Sequence, residues 1–210
     1  MGIIKYSFIT HLLSFKSLWS STWGVDFNPS KTYSINFSRS SFKHPSVHFG
    51  FNGNVINELS TLCHLGLLFQ NDAKWTSHIN KIYEKACSRL NLLRMLKHIL
   101  DRNALIKIYF AFIRPILEYG CIVWDNCSQE NSVLLENVQV AAGRIITGLR
   151  KNSSRNALYS ELGWEPLSIR RERQKLLMFY KIVHGLAPHY FQELLLPFYR
   201  PTRVNSAFIL

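Results

Sequence analysis

The chemistry open to this chain is set first by where its acids stand. Metal-assisted phosphoryl transfer needs carboxylates gathered around two cations. The 210 residues include 13 Asp and Glu against 25 Lys and Arg. No two aspartates are adjacent, and residues 1–57 contain only Asp26. Glu161 and Glu165 stand at helical i,i+4 spacing, but Gly163 lies between them, so a solvated turn is expected there and no metal site. The sequence has no GxSxG, no phosphate-binding glycine loop and no HExxH. The eight histidines are dispersed and read as surface or satisfied core residues. Cys63, Cys87, Cys121 and Cys127 form no CxxC pair and fit no zinc spacing, so reduced, mostly buried thiols are expected. Nothing here points to a self-sufficient enzyme.

The cations are more suggestive. The formal net charge is +12 and the isoelectric point is about 9.7. Such an imbalance favours a polyanionic partner, a nucleic acid or an anionic surface. "SIRRERQK" puts Arg170, Arg171, Arg173 and Lys175 on one helix, and Arg144, Arg150, Lys151 and Arg155 cluster around the turn before it. A groove lined by such groups would gain counterion release on meeting phosphates. A merely solvated helix face explains any one cluster about as well. In "NPSK", residues 28–31, Lys31 stands beside a short strand: either the turn is simply wet, or the lysine reaches for something negative.

These residues need elements to position them. The pattern predicts α+β, mainly α: a small antiparallel sheet followed by a helical bundle. Ile4, Phe8, Leu12, Phe15 and Trp19 predict an amphipathic helix over 5–22. Period-two patterns in "TYSINF", "VHFGF" and "HLGLLF" predict strands, and Asn52-Gly53 a hairpin turn. Beyond residue 74, Trp75, Ile79, Ile82, Ala86, Leu90 and Leu93 form one helical stripe. Lys74, His78, Lys81, Lys85 and Arg89 lie off it as a basic face. Asp101 caps the next helix, which carries Leu105, Ile108, Tyr109, Phe112 and Ile116 on one side and Ile106, Phe110, Ile113 and Leu117 on the other. Pro115 should kink it or begin a new segment.

A third helix over 129–147 places Leu134, Val138, Ala141 and Ile145 on one face and ends at Gly148. Ser153 or Ser154 caps a short helix ending at Gly163. Pro166 opens a helix running to Gly185, and Pro188 opens a last short one. The boundary falls near 72. Residues 1–72 form one part, 73–197 a helical part and 198–210 a tail. No run of 18 apolar residues occurs and the N-terminus does not read as a signal peptide, so no membrane association is expected and an intracellular place, nucleus or cytoplasm, is.

Specific words then matter more than periodicity. "FNPSKT" (27–32), "HLGLLFQNDAKWTSHINKI" (64–82), "FIRPILEYGCIVWDNC" (112–127), "LENVQVAAGRIITG" (135–148) and "LGWEPLSIRRERQKLLMFYKIVHGLAPHY" (162–190) occur in this order. Together they resemble the C-terminal part of the reverse transcriptase of jockey-like non-LTR retrotransposons, over roughly residues 19–197. The resemblance implies an end of palm, then a thumb and following helices, with an RNA template and a DNA primer as partners. It implies that Lys31 lies near the phosphates of an incoming nucleotide and stabilises the departing pyrophosphate. Leu65 and Gly66 resemble the primer-grip hairpin. Lys81, Lys85 and Arg89 would track template–primer phosphates, with Arg144, Arg170 and Arg171 as further backbone contacts.

The intact family enzyme uses magnesium on an F/Y-x-D-D hairpin. This sequence does not show that hairpin, so a truncated, non-catalytic copy with no cofactor or metal of its own is expected. Its strands would keep an open edge, and the part after 74 is expected to fold better than the part before. The alternative is a basic helical protein-interaction module without a polymerase role.

Overall fold

The computed structural model describes residues 16, 18–28, 31–38, 49–51, 54–150 and 153–193. The fold is mainly helical, with a few short strands ahead of the helices. It divides into two compact units between Lys81 and Ile82, inside one helix, where the change of pattern had suggested 72.

In the first unit residues 18–23 are helical; most of the helix expected over 5–22 lies outside the described residues. Strands β1 (Tyr33–Ser34), β2 (Phe49–Phe51) and β3 (Asn54–Glu58) form a sheet in the order β1-β3-β2. β2 and β3 are antiparallel, with Phe51 opposite Asn54. That register is the hairpin that Asn52-Gly53 predicts, although those two residues lie outside the described ones. β1 joins β3 in parallel over two residue pairs. Ile56 points into the core from the central strand.

A second hairpin joins β4 (Thr61–His64) to β5 (Leu67–Gln70). "HLGLLF" is therefore not one strand. Leu65 (φ 47°) and Gly66 (φ 81°) both adopt the left-handed conformation that a two-residue hairpin turn requires. The aromatic rings of Phe37, Phe69 and Trp75 stack edge to face in a chain behind this hairpin, at 6.4 and 5.4 Å.

Helix α1 (Thr76–Leu96) follows. Ile79, Ile82, Ala86, Leu90 and Leu93 are buried along it, the stripe that their spacing predicts. The second unit continues with α2 (Arg102–Ile108), capped by Asp101, whose carboxylate accepts from the Ala104 N–H. A π-turn over Tyr109–Ile113 leads into α3 (Arg114–Glu118), with Pro115 in its first turn, and then α4 (Cys121–Trp124). The Arg114 N–H reaches the Tyr109 carbonyl, five residues back.

The π-turn redistributes the expected faces. Leu105, Tyr109, Ile113, Leu117 and Cys121 are buried, one every four residues, whereas Phe112 is exposed. A regular helix turns past a strict four-residue repeat; one wide turn brings the stripe back into line.

Helix α5 (Gln129–Thr147) is capped by Ser128 and ends on Gly148 at φ 74°. Its buried residues include Leu135, Val138, Ala142 and Ile146, so the inward face is turned one residue from Leu134, Ala141 and Ile145, which are half-buried. The reason is that α5 packs against three helices: α2, α6 (Arg155–Leu162) and α7 (Leu167–Val183). Against α6 the approach is close. A Cβ on Gly143 would stand 3.0 Å from Leu162 Cδ1 and 3.1 Å from Leu158 Cδ2. Ser154 caps α6, Gly163 ends it, and α8 (Tyr190–Glu193) follows Pro188.

Candidate nucleic-acid interface

Lys31 closes a turn. Its N–H and the Thr32 hydroxyl both donate to the Asn28 carbonyl, at 3.1 and 3.0 Å, and its side chain is exposed. The two turn residues before it, Pro29 and Ser30, lie outside the described residues. Lys31 precedes β1, at the edge of the three-stranded sheet.

Leu65 and Gly66 form the tip of the β4–β5 hairpin, and the Leu65 side chain is 75% exposed. Behind the tip, the Leu68 N–H donates to His78 Nδ1 at 3.2 Å and the Ser77 N–H to Gln70 Oε1 at 3.3 Å. These bonds seat the hairpin on the first turn of α1. They also correct the expectation for His78. Helical spacing puts it among the lysines, but the hairpin closes over that turn and His78 is 2% exposed.

Burial, then the neighbouring Lys81 charge, hold the His78 pKa below its usual 6.5. The fold therefore favours neutral imidazole. Stability from this site is full above about pH 6.5 and is lost as pH falls below that toward the folded-state pKa. His78→Gln, which keeps an acceptor, is expected to flatten the acid limb of the first unit's thermal stability; an unchanged limb in pH-dependent melts would contradict this.

Lys81, Lys85 and Arg89 are exposed along α1 at successive i,i+4 positions. Lys81 Nζ lies 3.9 Å from Cys63 Sγ on β4, so the cation stands beside the hairpin. Cys63 is the exposed thiol; Cys121 is buried, and Cys87 and Cys127 are half-buried. None of the ion pairs among the described residues uses Lys81, Lys85 or Arg89.

The arginines of α7 are different, since both expected phosphate contacts there, Arg170 and Arg171, pair with acids of the chain's own fold. Arg171 is 1% exposed. Its Nε donates to Asp125 Oδ1 at 2.6 Å, its Nη2 to Ser132 Oγ at 2.5 Å, and its guanidinium lies 5.7 Å from the Trp124 ring centre. Arg170 forms a two-pronged bond to Glu118, which holds its pKa above the ordinary value. Arg173 pairs with Glu165 at 2.7 Å and Lys175 with Asp125. "SIRRERQK" thus meets acids of its own fold. Arg144 is half-buried and donates to the Ser153 carbonyl at 3.3 Å, bracing the turn after α5. Sequence reasoning missed these pairings because Glu118 and Asp125 stand 52 and 46 residues away.

Two further acids are also engaged. Glu161 pairs with Arg102 at 2.9 Å, and Glu136 accepts from the Tyr159 hydroxyl and from the Leu167 N–H. Among the described residues no three of His, Cys, Asp and Glu converge as metal ligands would, so they do not fit the paired cations implied by the resemblance. What the arrangement offers is a run of solvated cations along α1, of which Lys81 stands beside the β4–β5 hairpin. Among the described residues, no helix is long and apolar enough to cross a membrane. No family model matches the chain, and no curated protein or solved structure matches it.

Proposed function

We propose that this chain is a primer-holding, non-catalytic part of a jockey-like non-LTR retrotransposon reverse transcriptase, and that it binds template–primer nucleic acid through its phosphates. The observation that carries the reading is the row Lys81, Lys85 and Arg89, exposed on one helix while the acids Glu118, Asp125, Glu161 and Glu165 are occupied by other cations. The hairpin tip at Leu65–Gly66 supports it, since a grip on a primer needs a projecting turn. Lys31 is proposed as an auxiliary phosphate contact. Binding without synthesis is the chemistry proposed, because the described carboxylates do not converge.

The test is the salt dependence of binding to a primed RNA–DNA duplex, read by fluorescence anisotropy. Affinity should fall steeply between about 50 and 200 mM salt. Replacing Lys81, Lys85 and Arg89 together by alanine should lower the log–log slope by roughly 2–3, about 0.9 per lost phosphate contact. An unchanged slope would remove this face from the interface, and nucleotide incorporation by the chain with magnesium would refute the non-catalytic part.

A second reading, a helical protein-interaction module, is favoured by the apolar outer face of α7.

A further inference from the structure

Helix α7 has two apolar sides. The inner one carries Leu167, the paired Arg171 and half-buried Met178 and Ile182. On the outer one Ile169, Leu176, Phe179 and Val183 recur at intervals of seven, three and four, the spacing of a coiled-coil seam. They are 47%, 62%, 55% and 51% exposed, and Leu177 and Tyr180 flank them, also exposed. A helix facing only water carries polar residues there. These six residues, each about half exposed, present a patch on the order of 600 Å², at the upper end of the ~300–600 Å² of the largest patch on a typical monomer. It approaches the ~800 Å² that each partner buries in a standard interface.

We propose that this face is the contact between two copies of the chain, with their α7 helices packed antiparallel about a two-fold axis. The direction follows from the charges. A parallel pair would set Glu172 against Glu172 within the seam. In an antiparallel pair with the axis level with residues 177 and 178, the two Glu172 residues stand ~16 Å apart along the helices, at 1.5 Å per residue. Leu176 then meets Phe179 of the second copy, and Leu177 faces Leu177 beside the axis. Such an interface is self-complementary and closed. The charge of +12 on each copy opposes pairing at long range. Dimerisation therefore tightens as salt rises and the screening length falls, opposite in sign to phosphate binding.

Sedimentation velocity of the full chain over about 1–100 µM tests this. The mass should rise toward twice 24.4 kDa, at lower concentration in higher salt. Leu176→Glu with Phe179→Glu should weaken dimerisation at least ~100-fold and leave the circular dichroism and melting of the dilute chain unchanged. Leu177→Cys in a Cys63→Ser background should form a disulfide-linked dimer on mild oxidation. A chain monomeric over the whole range overturns the proposal, as does a dimer that survives the double glutamate variant. A lower melting temperature of that variant under dilute conditions also overturns it, because the face would then be covered by the chain's own residues.

Discussion

Asp125→Ala is expected to cost the helical unit about 3–5 kcal/mol, the usual result of stripping the partner from a buried charge. Arg171 is held inside by Asp125, Ser132 and the Trp124 ring. Without the carboxylate, the guanidinium stays out of water with one hydroxyl for compensation. Urea denaturation followed by helical circular dichroism measures the loss. Lys175→Ala, which removes the exposed partner of the same aspartate, should cost about 1 kcal/mol or less. Adding Arg171→Met to Asp125→Ala should recover most of the stability, since an apolar side chain of similar length needs no counter-charge. Equal costs for Asp125→Ala and Lys175→Ala would show that burial of Arg171 is not what makes the pair matter.

Trp164→Ala is expected to lose a similar amount, about 3–5 kcal/mol. Trp164 follows the Gly163 cap and is 9% exposed. Its ring stacks on Tyr109 with centroids 4.1 Å apart and 18° between planes. Tyr109 in turn donates to Gln139 Oε1 at 2.5 Å, and Gln139 donates to the Glu165 carbonyl at 2.9 Å. Burial, then the Glu118 charge, push the Tyr109 hydroxyl pKa well above its usual range, so it remains a donor at any ordinary pH.

The indole Nε1 is buried without a hydrogen-bond partner. Trp164→Phe relieves that desolvated donor while giving up ring volume, and should cost under about 1.5 kcal/mol. The contrast between the two variants in denaturation midpoints separates stacking from polarity. A phenylalanine as damaging as alanine would mean that the indole nitrogen has a partner, most simply a water.

How much was legible in the sequence depends on how local the determining interaction is. The caps at Asp101, Ser154, Gly148 and Gly163 were readable because a side chain and the amide it accepts from, or a glycine and its positive φ, lie within a few residues. The α1 stripe was readable because one face of that helix is buried throughout. The inward face of α5 was misplaced by one residue because three neighbouring helices, not the helix's own pattern, decide it. The alternation in "HLGLLF" predicts a single strand, and only the resemblance puts a hairpin at Leu65–Gly66, because Leu65 is a poor residue for positive φ and the turn lacks its usual signature.

The candidate site was legible in the same uneven way. Lys81, Lys85 and Arg89 are exposed as their spacing suggested. His78 is buried by a hairpin whose seating the helix pattern cannot encode. Arg170 and Arg171 looked like surface cations because their acids lie far away in the chain.

The wide turn at Tyr109–Ile113 has a consequence for chain length. A one-residue deletion in an ordinary helix rotates everything after it by about 100°. Here the loop of extra backbone already stores that residue. Removing Phe112, whose side chain is 56% exposed, would let the segment close as a regular helix with Leu117, Cys121 and Trp124 still pointing inward. Removing Asn137 from α5 would have no such reserve to draw on. Melting of the two deletion variants should therefore differ sharply, with the Phe112 deletion the milder, which makes this short stretch the place where the helical unit tolerates a change in its own length.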